Sequence, residues 1–248
     1  MNTDQLDFSW NTSDLASFLP IILALAFFSL YWFVSKSERI KLLFTTKYER
    51  DAALFNHLFF TKIIGFVSMG IFPVIICLLW FKGTNLSDYG ISFNSQTFIF
   101  SLAWTVGLSI LVIPIAYFSA KKPKNLVNYP QARSKVWTKK MMLLEALAWF
   151  LYLFGYELLF RGVLLFPVVD AIGIWPAIAV NVALYSATHI PKGLDETIGA
   201  IPLGFVLCIL TLMSGNIIIA FLVHVVMAWT NTFTALHYNP EMNYATKK

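Results

Sequence analysis

Charge is what this sequence has least of. Only 12% of its 248 residues are Asp, Glu, Lys or Arg, about half the share that covers a soluble domain. So few charges cannot clothe a water-facing surface of this size. That excludes a soluble enzyme, a disordered chain and a nucleic-acid-binding module. Cysteine is nearly absent too. Cys77 and Cys208 are the only two, and both lie inside apolar runs, so they read as small apolar side chains rather than a disulfide. No Lys or Arg precedes the first apolar run, whose flank carries Asp4, Asp7 and Asp14. A secretory signal peptide needs the opposite, basic flank. There is no internal repeat, no low-complexity tract and no linker long enough to separate soluble domains.

What is present is apolar and arranged in blocks. Hydrophobic residues make up 58% of the chain and aromatic residues 17%, with eight Trp, a composition suited to a bilayer and its interfaces. A hydrocarbon core ~30 Å thick takes ~20 helical residues. Seven segments approach that length: Leu15–Val34, Ile63–Phe81, Thr97–Phe118, Met142–Pro167, Ile174–Ile190, Thr197–Met213 and Ile217–Leu236. They do not alternate polar and apolar as barrel strands do. The expected fold is all-α, a polytopic helical membrane protein of about seven transmembrane helices with a four-helix C-terminal core. The basic stretch Ser119–Met141 divides an N-terminal membrane region (1–141) from a C-terminal domain (142–248).

Basic residues set the expected orientation. They concentrate in the loops Ser35–Lys62 and Ser119–Met141, with Lys192, Lys247 and Lys248 following. With the N-terminus outside and the C-terminus inside, all but Lys82 and Arg161 of the 18 basic residues face the cytoplasm, as the positive-inside rule asks.

Ionisable groups within a bilayer are costly and mark function by default. They are confined to the C-terminal four segments: Glu145, Glu157 and Arg161 in the fourth, His189 at the end of the fifth, His224 in the seventh. Glu145 lies near the start of its helix and reads as snorkelling to the cytoplasmic surface. Glu157 and Arg161, four apart, share a face and suit an ion pair; Glu157 also suits metal binding or proton transfer. Asn181, Tyr185 and His189 form a polar stripe at spacings of four, with Thr188 beside it. His224, Ala228 and Asn231 share one face of the seventh segment. An antiparallel hairpin turning near Gly173 sets Glu157 and His189 level, sixteen residues from the turn, with Pro167 kinking the helix between. His224, only seven residues past Ile217, falls roughly 10 Å or more nearer the outside. Only tilt or a buried turn between the last two helices brings it level.

Tyr156-Glu157-Leu-Leu-Phe-Arg161-Gly, Tyr185-Ser-Ala-Thr-His189 and the later His224 resemble the CPBP family, the CAAX-processing and bacteriocin-processing (Abi) intramembrane proteases, over about residues 143–236. The resemblance implies an intramembrane endopeptidase, hydrolysing a hydrophobic or prenylated peptide near the membrane. In the family a motif glutamate and the second-motif histidine activate water. The third-motif histidine and an asparagine or aspartate hold the oxyanion. An older view makes such residues zinc ligands. Two positions depart from the pattern. Tyr156 occupies the first glutamate position, and Ala228 the third-motif asparagine position, with Asn231 three residues on.

Catalysis would then rest on Glu157 with His189 for water, and on His224 with Asn231 or Tyr156 for the oxyanion, Arg161 tuning Glu157. A π-bulge or helix rotation is what would turn Glu157 into its neighbour's place. Either no cofactor is needed, or one zinc binds Glu157, His189 and His224, leaving one position open to water. The alternative is a catalytically degenerate relative that binds a peptide, confers bacteriocin immunity or scaffolds a membrane partner. A proton-relaying transporter is disfavoured by the absence of repeats. The partners expected are the lipid bilayer and the peptide, not nucleic acid; the location expected is a bacterial cytoplasmic membrane.

Overall fold

A computed structural model describes residues 8–93 and 95–245. Asp4, Asp7, Lys247 and Lys248 of the orientation argument lie outside the described residues. Eight helices follow in order: α1 (Thr12–Ser35), α2 (Glu38–Thr45), α3 (Arg50–Trp80), α4 (Ser95–Ala120), α5 (Lys139–Ile172), α6 (Ile174–Ala187), α7 (Leu194–Ser214) and α8 (Ile218–Tyr238). Single helical turns occupy Leu86–Tyr89, Pro123–Leu126 and Ile190–Lys192. The only strands among the described residues are two-residue pieces, β1 (Val136–Trp137) and β2 (Asn243–Tyr244), paired in parallel.

Six helices among the described residues are long and apolar enough to cross a bilayer: α1, α3, α4, α5, α7 and α8. The seventh expected segment is α6, of 14 residues. At 1.5 Å per residue it covers about 21 Å, short of a ~30 Å core. It still carries the chain from one end of the bundle to the other. At one end, Lys124 pairs with Asp195, Asp51 accepts from the backbone N–H groups of Lys135 and Val136, and β1 meets β2. At the other, Ile217 N donates to Gly90 O, and Ser92 bonds Gly215 O. The segments on either side of α6 thus lie at opposite ends.

Two helices contain π-helical turns, Phe66–Ile71 in α3 and Leu158–Leu165 in α5. Each is followed at once by a proline, Pro73 or Pro167. Proline has no N–H to give and its ring crowds the carbonyl a turn earlier; a widened turn ahead of it absorbs both effects. The two irregular stretches face each other. A Cβ on Gly155 would come 2.8 Å from Phe66 Cα, and one on Gly70 would come 2.9 Å from Gly155 Cα. These glycines let α3 and α5 approach backbone to backbone. Along α4, large apolar side chains such as Ile99, Ile110, Ile115 and Phe118 point outward, the face a lipid-exposed helix presents.

Two expectations about charge are corrected. Lys62 is not a loop residue: α3 begins at Arg50, and Lys62 is buried in it. Its Nζ lies 3.0 Å from the centroid of the Trp149 ring and 3.1 Å from Gln131 Oε1. Glu145 does not snorkel. It is fully buried, one helical turn from Trp149, and the opposite charge acting on it is that of Lys62. Helix α5 starts three residues earlier than expected, and α3 packs against it, with Lys62 over the ring of Trp149 one turn from Glu145. Cys77 and Cys208 are buried and free.

Candidate active site

The π-helical turn of α5 begins at the residue after Glu157, within the motif that carries the family resemblance. Glu157 and Arg161 are both fully buried, and Arg161 Nη1 lies 3.4 Å from Glu157 Oε2. The intrahelical ion pair is therefore present by proximity, without a hydrogen bond between its members. The other carboxylate oxygen, Oε1, makes a short contact with His224 Nδ1 of α8. Glu157 thus joins two helices and neutralises the guanidinium beside it.

The expected depths placed His224 away from this level, and the structure brings it in. The turn between α7 and α8 is inset: Asn216 and Ile217 are buried, beneath the loop that ends at Gly90. Starting deeper, α8 needs fewer residues to reach Glu157. The buried turn that the length argument required is what the chain builds.

The far side of the His224 ring is also occupied. Its Nε2 lies 2.8 Å from the Tyr185 hydroxyl of α6. A carboxylate on Nδ1 holds the proton there when the ring is neutral. Nε2 is then an acceptor, and Tyr185 O–H donates to it. The Tyr185 ring packs against two neighbours. The Arg161 guanidinium carbon stands 4.2 Å from its centroid, a cation–π contact. On the opposite helix, a Cβ on Gly204 would come 2.8 Å from Tyr185 Cδ1. Asn181, at the start of the polar stripe, donates to Phe160 O within the widened turn at 2.5 Å and accepts from the Cys208 thiol at 3.2 Å.

His189 follows the last turn of α6. Its Nδ1 lies 3.0 Å from Tyr185 O. A carbonyl only accepts, so Nδ1 carries the proton and Nε2 keeps its lone pair. Thr188 Oγ1 also donates to Tyr185 O, at 2.7 Å, and lies 2.7 Å from the Tyr156 hydroxyl. With the Thr188 proton given to the carbonyl, Tyr156 O–H donates to Thr188. Tyr156, at the family's first glutamate position, is thereby connected to the His189 side of the site.

The structure joins Glu157, Arg161 and His224 directly, and Tyr156 and His189 through Thr188 and Tyr185. Glu157 and His189, which the hairpin set level, share no hydrogen bond; one carboxylate oxygen of Glu157 meets His224 instead. Asn231 is set apart as well. It lies two turns beyond His224, about 10 Å along the axis, and no hydrogen bond ties it to the cluster among the described residues. Ala228, one turn from His224, is buried and offers no polar atom. Zinc is not suited by this set. Both His224 nitrogens and one Glu157 oxygen face other protein groups, and no three His, Cys, Asp or Glu side chains among the described residues converge on one point.

Sequence reasoning missed Gly204 and Gly155, whose value lies in what they leave room for. Their signal was only a small residue within an apolar helix. Tyr185 and Thr188 were noted as polar neighbours of His189, but their bonds to His224 and Tyr156 depend on packing between helices. No curated protein and no solved structure matches the chain. Residues 137–230, which hold Glu157, Arg161, Tyr185, His189 and His224, match the family model of the type II CAAX prenyl endopeptidases, Rce1-like.

Proposed function

We propose that this chain is an intramembrane endopeptidase of the CAAX type. Its substrate is a hydrophobic or prenylated peptide that approaches from the bilayer. The observation that carries this reading is the convergence of Glu157, Arg161, His189 and His224, drawn from three helices, around one buried tyrosine. Water activation falls to His189, whose Nε2 lone pair is free of the bonds made by Nδ1. His189 then returns from Nε2 the proton it took from water, giving it to the leaving amine, while Glu157 and Tyr185 hold His224 in place beside it. Arg161 sets its positive charge beside the Glu157 carboxylate. An apolar groove of about 510 Å³ between α6 and α7, bordered by Trp175, Val182, Pro202 and Phe205, suits a hydrophobic substrate. The N-terminus lies outside and the C-terminus in the cytoplasm, of a bacterial membrane; the basic loops gathered at one end of the bundle support this.

The test is cleavage of a library of prenylated and unprenylated C-terminal peptides by the purified protein. The expected result is hydrolysis that His189→Ala abolishes and Glu157→Gln strongly reduces. Cleavage that survives both changes would defeat the reading.

A second reading is favoured by one specific observation. Tyr156 has replaced a carboxylate, and its proton is already committed to Thr188. A phenol near neutral pH does not take a proton from water. On this reading the fold is kept for peptide binding, immunity to a bacteriocin or scaffolding, and the library is bound but not cut.

A further inference from the structure

We propose that Tyr185 is the positioning residue of this site, anchoring the rings of both histidines at once. The inference rests on the site assignment above, but not on whether the site cleaves peptides. One residue makes both contacts. The Tyr185 carbonyl oxygen accepts from His189 Nδ1 at 3.0 Å, and the Tyr185 hydroxyl meets His224 Nε2 at 2.8 Å. The first contact fixes His189 as the Nδ1–H form, with its lone pair on Nε2. The second, with Glu157 on the opposite nitrogen, fixes His224 as the Nδ1–H form as well.

Two features show that the hydroxyl is aimed rather than merely near. Tyr185 is 1% exposed and His224 4%, so their contact is shielded from bulk solvent. The Tyr185 ring packs on the Arg161 guanidinium, and its edge fills the space at Gly204 of α7, where even a methyl group would collide with it. A phenylalanine would fill the same space and leave the same carbonyl. Only the bond to His224 requires tyrosine. The hydroxyl therefore carries a role that packing does not explain. A phenol stripped of its hydrogen-bond partner in so dry a place would cost free energy.

The two contacts predict different sensitivities. Removing the hydroxyl should release His224 and leave His189 unchanged, because the His189 contact is made by the main chain. ¹⁵N NMR of the purified protein with labelled histidine side chains reads this directly. His224→Gln and His189→Gln assign the two rings among the four histidines. In the native protein, Nε2 of both rings should resonate as unprotonated nitrogen. In Tyr185→Phe, Nε2 of His224 should shift as an acceptor that has lost its donor, with the proton still held on Nδ1 by Glu157, while His189 stays in place. Unchanged His224 signals in Tyr185→Phe would overturn the proposal, as would loss of the His189 tautomer alone. If Tyr185→Phe does not fold, 3-fluorotyrosine at position 185 keeps ring and hydroxyl but makes the phenol more acidic. It should shift His224 Nε2, and no shift would count against the proposal. Where the native protein cleaves, Tyr185→Phe should lower kcat about tenfold, the rate equivalent of one lost hydrogen bond, with KM little changed. Where it does not cleave, the endopeptidase reading fails, and the NMR result still decides the role of Tyr185.

Discussion

The Glu157 carboxylate meets the His224 imidazole across 67 positions of sequence, while the nearer His189 faces the other side of Tyr185. The carboxylate is therefore shared between a guanidinium on its own helix and a histidine on α8. Among the described residues it is the only counter-charge that either cation-forming group contacts directly.

Unequal losses of stability should follow. Glu157→Ala leaves Arg161 buried without a counter-charge and should cost ~3–5 kcal/mol, the usual penalty for breaking such a pair. Arg161→Ala leaves Glu157 its bond to His224 and should cost less. Replacing both by Met should recover much of the loss, since apolar groups of similar volume need no partner. Unfolding midpoints in detergent measure the three variants. Additive losses in the double variant would show that the two residues are not coupled.

The approach of α3 to α5 makes a second contrast. Gly155→Ala places a methyl 2.8 Å from Phe66 Cα and O, both main-chain atoms that no side-chain rotation can move. It should destabilise by ~1–3 kcal/mol, as overpacking does. Gly199→Ala, within α7 with nothing close to its Cβ position, should be neutral or slightly stabilising, since alanine suits a helix interior better. Thermal melting of the two variants decides. Equal effects would mean that the α3–α5 contact is looser than 2.8 Å.

Much of this arrangement could be read in the chain before its fold was known. The apolar runs gave the helices, because length and lack of charge alone decide whether a segment suits a bilayer. Glu157 and Arg161 gave their pairing by spacing, since four residues return to one helix face. Depth was harder. Counting residues from Ile217 put His224 too near the outside, because the buried α7–α8 turn takes its level from the loop at Gly90, a contact between segments far apart in sequence. Burial of Glu145 and Lys62 was hidden for a similar reason. Nothing local to either residue says that Trp149 and Gln131 will cover the lysine. The π-helical turn after Glu157 had a local cause in Pro167, but its extent depends on packing against α3.

Lys62 and Glu145 make the third prediction. They are buried groups of opposite charge type on α3 and α5, well separated along α5 from the candidate site. Lys62→Met should leave Glu145 without the charge that offsets it and lower the yield of folded protein. Lys62→Met with Glu145→Gln should restore most of that yield, because neither buried charge then remains. Size-exclusion yield and melting temperature read the outcome. A double variant no better than the single would indicate that the two charges do not act on each other.

The last prediction concerns Tyr156. Its hydroxyl donates to Thr188, which lies 3.3 Å from His189 Nδ1. A carboxylate introduced by Tyr156→Glu would accept the Thr188 proton and sit beside the histidine with the free lone pair, where a base for water is wanted. Ala228→Asn would add a polar donor one turn from His224. If the native chain has kept the fold and lost the chemistry, Tyr156→Glu with Ala228→Asn should create or raise proteolysis from a native level near zero. If the native chain cleaves through His189 and His224 as it stands, the same change should lower its rate. Glu157 is already ionised against Arg161, and a second carboxylate next to it resists ionisation and holds a proton. Peptide cleavage by the native chain, the double variant, Glu157→Gln and His189→Ala separates the two outcomes. A native rate untouched by all of these changes would place the reaction outside this cluster.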